Sequence, residues 1–215
     1  MPLLKPEQRQ KLDPASDDDF YDIPRFVTHV DDSFIQQLTD LYRDRLQPNS
    51  RLLDLMSSWV SHLPKEMTFA HVEGHGMNEE ELARNPRLDH YIRQNLNQNP
   101  ALPYPEASFD AVLIAVSVQY LEYPEAVFSE IARVLTPGGL CLVSFSNRMF
   151  YQKAIQAWRD AREVDRVQLV QSYFEKTPGF AAPEVVQSVS AISAILGWMG
   201  GMSRDPFYAV LAQKK

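Results

Sequence analysis

Hydrophobic residues in the centre of the chain change their spacing twice within forty positions. The stretch 109–148 begins with Phe109-Asp110 and continues into the apolar run AVLIAVSV, which has the length of a strand and no helical period. Apolar residues at spacings of three and four follow in 124–135, and a second apolar run, LCLVSF, fills 140–145. Because a strand covered on both faces is continuously apolar, this order predicts a βαβ unit with two buried parallel strands.

The helix of this unit has recognisable ends. Pro124 suits a first helical turn, and Glu125 lies near the positive end of the helix dipole. The stretch Thr136-Pro137-Gly138-Gly139 ends the helix, because proline cannot continue it and glycine tolerates a positive φ. One face of the helix is predicted to be apolar and consists of Val127, Phe128, Ile131, Val134 and Leu135.

The flanking sequence adds further elements to this unit. Ser33 and Gln36 have the spacing of a capping box before an apolar stripe, which predicts a helix ending near Leu46. Asn78 precedes three glutamates and predicts the N-cap of another helix. Strands are also predicted at 51–55, 68–72, 90–94 and 206–212, and helices at 151–162 and 165–174. Residues 183–195 mix both signals, and Gly197, Gly200 and Gly201 predict a flexible loop.

The central block resembles the later half of the class I S-adenosylmethionine-dependent methyltransferases of the small-molecule type. The resemblance lies in Phe109–Val112, in the run from Glu130 to Gly139 and in Leu102–Pro105 before them. It implies an α/β, Rossmann-like methyltransferase fold: a mostly parallel seven-stranded sheet with helices on both faces and an antiparallel C-terminal strand. Since the likeness extends from about Leu52 to Ala212, we expect an N-terminal arm or lid at 1–30 and a methyltransferase-like domain at 31–215.

The first motif of the resembled family is changed in this chain. In that family the first strand ends in an acidic residue, and three glycines then let the backbone approach the cofactor. Asp54 keeps the acid, but the glycines would fall at Met56, Ser58 and Val60. Ser57 and Ser58 are small and offer hydroxyl groups in their place. The resemblance therefore implies S-adenosylmethionine as the cofactor, held by a non-standard, glycine-poor turn.

Two further positions of the cofactor site also differ from the family. The carboxylate that usually accepts the ribose hydroxyls is replaced by Gly76, and Glu73 lies three residues too early. An asparagine, whose carbonyl still accepts a hydrogen bond from the adenine amine, replaces the usual aspartate after the third strand. The resemblance implies this set of cofactor-binding residues: Asp54, Ser57, Ser58, Met77, Asn95, Leu96, Asn97 and Val116.

A methyl acceptor is expected beside the cofactor, at the carboxyl ends of the fourth and fifth strands. Tyr120 offers an aromatic face for a sulfonium, and Arg148 offers a guanidinium for an acidic group. Packing under the next loop and capping of a surface helix remain the alternatives for these two residues. The predicted substrate-binding residues are Gln119, Tyr120, Asn147 and Arg148. Methyl transfer requires no metal, and a base is needed only if the acceptor loses a proton early, so the catalytic residues stay unassigned.

Several single residues have structural interpretations. We expect Trp59 to be a core aromatic on a first helix after the first strand, His62 to pack on that helix, and His75 to be a structural histidine in a turn. The acidic run Asp17-Asp18-Asp19 is interpreted as a solvated face. The aromatic residues that follow it, Phe20, Tyr21 and Phe26, leave open whether the arm is merely solvated or covers the site.

Composition limits the partners. The net charge is −7 and no basic run is longer than Lys214-Lys215, which argues against nucleic-acid binding. A single cysteine, Cys141, lies in a predicted buried strand, which excludes an intrachain disulfide and agrees with a reducing compartment. The sequence contains neither an apolar run of membrane-spanning length nor a signal-peptide pattern. We therefore expect a cytoplasmic monomer or homodimer that acts on a small molecule, without a membrane or nucleic-acid partner.

Three functions remain open at this point, and we rank them in this order. The first is an active methyltransferase. The second is a methyltransferase-like fold without cofactor that serves as an interaction or regulatory module, a hypothesis that the missing glycines and the missing ribose acid support. The third is a dinucleotide oxidoreductase, because the same architecture hosts those enzymes. The absence of a G-x-G-x-x-G motif from the sequence argues against it.

Overall fold

The computed structural model describes residues 3–188 and 204–215 of the chain. Within these residues a seven-stranded sheet forms the centre of the molecule. Its strands are β1 (Arg51–Ser57), β2 (His71–Gly76), β3 (His90–Arg93), β4 (Phe109–Ala115), β5 (Leu135–Phe145), β6 (Glu184–Ser188) and β7 (Phe207–Gln213). The order across the sheet is β3-β2-β1-β4-β5-β7-β6, and β7 runs antiparallel to both of its neighbours. The predicted fold class is confirmed.

Helices cover both faces of the sheet. They are α1 (Asp17–Tyr21), α2 (Asp32–Arg45), α3 (Glu79–Arg84), α4 (Pro124–Val134), α5 (Gln156–Arg159) and α6 (Glu163–Glu175). Helix α2 packs Phe34 and Leu38 into the core on one face, and α4 and α6 pack Phe128 and Tyr173 into the core on the other. The described residues include no helix that is both long and apolar enough to cross a bilayer.

The βαβ unit has the predicted order, with one local difference. Helix α4 begins at Pro124 as predicted and ends at Val134, one residue early, because Leu135, which was expected on its apolar face, begins β5. The proline and glycines therefore lie inside β5, where the pairing with β4 shifts between Leu135 and Leu140. Gly138 absorbs this irregularity with a φ of +78°. Helix α6 and strand β7 are confirmed within two residues of their predicted ends.

Two helix predictions were wrong in detail. The N-cap of α2 is Asp31, whose Oδ1 accepts the backbone N–H of Phe34 at 2.8 Å, and Ser33 lies inside the first turn. The predicted helix at 151–162 is reduced to the four residues of α5. The N–H of Gln156 donates to the carbonyl of Gln10 at 2.8 Å, so a contact with the N-terminal segment fixes the backbone where the helix would have continued.

The largest difference lies between β1 and β2. No helix forms between Ser57 and His71, so the prediction of a first helix bearing Trp59 and His62 was wrong. Strand β1 instead continues two residues past Leu55, and β2 begins at His71, three residues later than predicted. Two backbone hydrogen bonds join this segment to the turn before β1. The N–H of Asn49 donates to the carbonyl of Thr68, and the N–H of Ala70 donates to the carbonyl of Ser50. These bonds hold the chain as a loop where strand β2 was expected to begin.

The remaining sequence predictions concern the two ends of the chain. The described part of the N-terminal segment, 3–30, contains a 3₁₀ turn at Glu7–Arg9 and helix α1. In the region of mixed signals, β6 occupies Glu184–Ser188. The rest of that region and the loop predicted at Gly197, Gly200 and Gly201 lie outside the described residues.

Candidate functional site

A cavity of about 280 Å³ opens at the carboxyl ends of β1, β2 and β4. Ligands of open α/β sheets bind at this edge. The loops after β3 and β5 and the N-terminal segment complete its walls. All eight residues expected at the cofactor line it: Asp54, Ser57, Ser58, Met77, Asn95, Leu96, Asn97 and Val116. Of the residues expected at the substrate, Tyr120 and Arg148 line the cavity, whereas Gln119 and Asn147 lie outside its lining.

Asp54 is the buried carboxylate of this cavity. Its Oδ2 accepts hydrogen bonds from the hydroxyls of Ser57 at 2.7 Å and Ser61 at 2.6 Å. Burial raises the pKa of Asp54 to about 6, and the two hydroxyl donors oppose this rise. A cationic ligand group beside Asp54 would favour the ionised carboxylate, because the attraction between the two charges offsets part of the free energy lost when the carboxylate is desolvated.

The turn after β1 keeps a glycine-like backbone without a glycine. Met56, which occupies the place of the family's first glycine, has a φ of +60°, a value that side-chain-bearing residues rarely adopt. Val116, in the loop after β4, has a φ of +50° although it is β-branched. Both residues line the cavity. Strained backbone of this kind is concentrated at binding sites.

The missing ribose acid has a steric explanation. Ser57 pairs with Gly76 through an irregularity in the β1–β2 ladder, and a Cβ atom on Gly76 would stand 2.5 Å from the Ser57 carbonyl oxygen. No side chain, acidic or otherwise, fits there without a shift of the backbone. Glu73 does not replace it, because its carboxylate lies outside the cavity lining and accepts hydrogen bonds from His71, His90 and Tyr104.

A hydrogen-bond network fixes the loop that follows the turn. The hydroxyl of Ser58 donates to Glu81 Oε2 at 2.6 Å, and the other oxygen of Glu81 accepts the backbone N–H of Arg25 at 2.6 Å. The amide of Asn85 donates to the Ser58 carbonyl and to the Ser61 hydroxyl. Glu81 was not predicted as a site residue. The signal for it was the confirmed N-cap at Asn78, which places Glu81 at the third position of α3.

The N-terminal segment accepts hydrogen bonds from two side chains of the loop after β3. Asn97 donates to Asp17 Oδ2 at 3.0 Å, and Asn95 donates to Asp18 Oδ2 at 3.0 Å. The side-chain oxygen of Asn97 accepts the backbone N–H of Glu122, and the side-chain oxygen of Asn95 accepts the backbone N–H of Asn97. The interpretation of Asp17 and Asp18 as a solvated face was therefore wrong, since both aspartates attach α1 to the rim of the cavity.

A buried lysine anchors the same segment from below. The ammonium of Lys153 is fully buried, donates to the Ala15 carbonyl at 2.7 Å and lies 3.0 Å from Asp13 Oδ2. It also lies 3.6 Å from Asp17 Oδ1. Lys11, on the segment itself, forms an ion pair with Asp17. The order of the N-terminal segment therefore depends on charged groups that the fold brings together from distant parts of the chain.

Aromatic rings surround the entrance between the segment and β4. The Phe150 ring packs against Phe20 at a centroid distance of 5.2 Å, and its backbone N–H donates to the Tyr120 hydroxyl at 2.8 Å. The Arg25 guanidinium lies 4.3 Å from the centre of the Phe20 ring. Trp59 contacts the segment as well, because its indole N–H donates to the Val27 carbonyl at 3.2 Å.

The four residues expected at the substrate separate into two pairs. Arg148 lies at the cavity and its Nε donates to Asp205 at 2.7 Å, while Tyr120 is buried in the wall. Gln119 is buried behind the wall, where its amide donates to the Val116 carbonyl at 2.9 Å and supports the strained turn. Asn147 is exposed.

Two buried polar side chains in the lining have no hydrogen-bond partner among the described residues. Both ring nitrogens of His75 are unpaired, and so is the hydroxyl of Ser117. His75 was expected in a turn, but it lies inside β2 and is 1% exposed.

Sequence comparison gives one match. Residues 61–143 match a family model described as "Methyltransferase domain". The matched segment contains β2, β3, β4 and α4 and most of β5, and it begins after the glycine-poor turn. No protein of curated function matches the chain by sequence.

Solved structures with a similar fold share little sequence with the chain. An S-adenosylmethionine-dependent methyltransferase from Mesorhizobium loti has a TM-score of 0.53 at 18% identity, with 81% of this chain and 96% of that chain covered. The [4+2]-cyclase SpnF has a TM-score of 0.55 at 19% identity, with 83% and 80% covered. Phosphoethanolamine N-methyltransferase 2 of Haemonchus contortus, in complex with S-adenosyl-L-methionine, has a TM-score of 0.54 at 17% identity, with 83% and 52% covered.

Proposed function

We propose that the chain transfers a methyl group from S-adenosylmethionine to a small molecule, because residues 61–143 match a methyltransferase domain model and the fold is that of the class I S-adenosylmethionine-dependent methyltransferases. The observation that carries this proposal is the cavity at the carboxyl edge of the sheet, into whose lining the fold brings all eight residues expected at the cofactor. These residues come from four separate parts of the sequence.

The fit of this cofactor rests on the charge and shape of the lining. Asp54 is a buried carboxylate with hydroxyl donors on one oxygen only, which suits the amino group of the cofactor. Ser57 and Ser58 line the turn beside it, and Met77 and Leu96 offer apolar contacts for the adenine. When bound, the cofactor supplies a methyl group on a positively charged sulfur, which is already activated for displacement.

The acceptor site lies on the other side of Val116. Tyr120, Phe150 and Arg148 line the cavity there, and they provide an aromatic wall with a cation at its rim. Arg25, from the N-terminal segment, adds a second guanidinium whose side-chain hydrogen bonds, within the described residues, go to the main-chain carbonyls of Ile23 and Phe20. The acceptor is accordingly a small apolar or aromatic molecule with an acidic group.

The N-terminal segment acts as a lid in this proposal. Residues 17–30 contribute seven positions to the lining, and the segment is held by Asn95, Asn97 and Lys153. Closing such a cavity excludes water and aligns the acceptor with the methyl group, which are the main contributions a protein makes to this displacement. A cytoplasmic location and a monomeric or dimeric state remain predictions.

A second function is supported by specific observations. No helix follows β1 in the described structure, and the carbonyls of Asn95 and Asn97 already accept backbone N–H groups. These features favour a methyltransferase-like module that binds no cofactor and acts through another protein. The cyclase SpnF illustrates in general that one fold can serve more than one function.

Calorimetric titration with S-adenosylmethionine and S-adenosylhomocysteine separates the two functions. We expect micromolar dissociation constants for the wild type and a weakening of about tenfold or more in Asp54→Ala, which removes a buried ionic contact. Asp19→Ala, on the exposed side of α1, is the matched control and should bind like the wild type. Absence of heat and of thermal stabilisation at millimolar ligand would exclude the methyltransferase and leave the interaction module.

A further inference from the structure

His75 is a buried polar side chain without a partner. It lies in β2 between Leu55 of β1 and Ile92 of β3, it is 1% exposed, and neither ring nitrogen is hydrogen-bonded within the described part of the chain. Buried polar groups of this kind are uncommon in proteins, because the loss of hydration is not repaid. An apolar residue at this position of the strand would avoid that cost.

The position of His75 beside the cavity offers a reason why an unpaired polar side chain is buried here. The residue lines the cavity, and both of its ring nitrogens are covered by groups that offer them no hydrogen bond within the described residues. A bound molecule that displaces part of this cover would pair with a ring nitrogen. Burial also lowers the pKa of His75 to about 4, which keeps the ring neutral near pH 7. A neutral imidazole presents one N–H donor and one acceptor, so it pairs with hydroxyl and amine groups without bringing a charge into the site.

The position of β2 indicates which part of a ligand is reached. Strand β1 separates β2 from β4, whose following loop leads to Tyr120 and the acceptor side. On its other side β2 adjoins β3, and Met77 and Asn95 line the same end of the cavity. In the proposed function this end holds the nucleoside, which offers hydroxyl, amine and ring-nitrogen groups.

We propose that His75 hydrogen-bonds the nucleoside of S-adenosylmethionine and contributes to the recognition that a side chain at Gly76 cannot provide. This inference rests on the proposed function and adds a residue to it. The neighbouring glycine has no space for a Cβ atom, so the polar contact in this strand comes from the preceding residue.

Three substitutions of His75 test the inference by calorimetry with S-adenosylhomocysteine and with adenosine. His75→Phe keeps an aromatic ring but removes both nitrogens, and we expect about a tenfold or greater loss of affinity for both ligands. His75→Asn and His75→Gln place an amide near one or the other ring nitrogen, and one of them should recover part of the affinity. Tyr173→Phe removes a buried unpaired hydroxyl outside the cavity lining and should bind like the wild type.

Melting temperature and nitrogen NMR separate a binding role from a structural one. Since His75→Phe removes two unpaired buried nitrogens, the ligand-free variant should melt at or above the temperature of the wild type while its ligand-induced shift falls. In the wild type, the imidazole ¹⁵N resonances of His75 should move on addition of ligand. If the wild type binds and His75→Phe binds equally well, the inference is wrong while the proposed function stands; if the wild type binds neither ligand, the proposed function fails first.

Discussion

A Cβ atom on Gly76 would stand 2.5 Å from the carbonyl oxygen of Ser57, and this relationship joins two unusual features of the molecule. Strand β1 continues through Ser57, past the point where the sequence predicted a helix, and it therefore runs beside the last residue of β2. A side chain at position 76, including the usual acid, has no room there. The glycine-poor turn and the missing ribose acid are thus parts of one local rearrangement.

The rearrangement predicts different costs for two substitutions in one strand. Gly76→Ala places a methyl group against backbone, which cannot move alone, so we expect a loss of about 1–3 kcal/mol in the free energy of unfolding. Gly74→Ala meets the end of the flexible Leu88 side chain first and should cost less. Urea unfolding of both variants measures the difference, and an equal or reversed order would contradict the assigned backbone path.

The positive φ of Met56 predicts a preference for glycine. Met56→Gly and Met56→Ala both remove the side chain, but only glycine adopts a φ of +60° without strain. We expect the glycine variant to be more stable than the alanine variant by about 1 kcal/mol in urea unfolding. Val60, the place of the family's third glycine, is not among the positive-φ residues, and the same pair of substitutions there should give the opposite order.

The raised pKa of Asp54 predicts a stability contribution that depends on pH. Folding raises this pKa from its ordinary value of 3.8 to about 6, so the protonated carboxyl stabilises the folded protein at acid pH and this stabilisation is lost as the pH rises through 6. The Asp54→Asn variant has no carboxyl group to ionise at this position, so its stability does not fall in this way as the pH rises. Its free energy of unfolding relative to the wild type should therefore rise by roughly 2.5 kcal/mol between pH 4 and pH 7.5.

Urea unfolding at several pH values in that interval measures this change. Asp19→Asn, at an exposed position, is the control and should parallel the wild type. A constant difference between Asp54→Asn and the wild type across the interval would show that the carboxyl is not buried as described.

The buried ammonium of Lys153 predicts how the N-terminal segment opens. Lys153→Met removes the hydrogen bond to Ala15 and the ion pair with Asp13. Hydrogen bonds to charged groups contribute about 1.5–3 kcal/mol, so the open population should rise by about tenfold or more. Trypsin should then cleave at Lys11 and Arg25 correspondingly faster. Arg162→Gln, which removes an exposed ion pair on α6, should leave the cleavage rate unchanged.

The elements that were predicted from sequence are those whose signals are local. The apolar run of β4, the proline of α4 and the Asn78 cap each act within a few residues, and all three are found in the structure. The sheet order then follows from the family resemblance, which depends on the same local block.

The elements that were not predicted depend on contacts between distant residues. The loop after β1 is fixed by Asn85, which donates to both Ser58 and Ser61, and nothing in 58–70 alone indicates that bond. Likewise, helix α5 is short because Gln10 reaches Gln156 across the fold. Ten residues of the cavity lining could be predicted from the family pattern, but Glu81 could not, and the lid required the charges of Asp17 and Lys153 to be placed in three dimensions.

Hydrogen–deuterium exchange with and without S-adenosylhomocysteine tests most directly that the rearranged turn and the N-terminal segment together form a cofactor site. We expect slower exchange in three segments on addition of ligand: 17–30, 54–61 and 94–97, with no change in α6, which lies outside the cavity lining. Protection of all three would support one closed site over the carboxyl ends of the strands. No protection at saturating ligand, or protection that omits 54–61, would contradict the account.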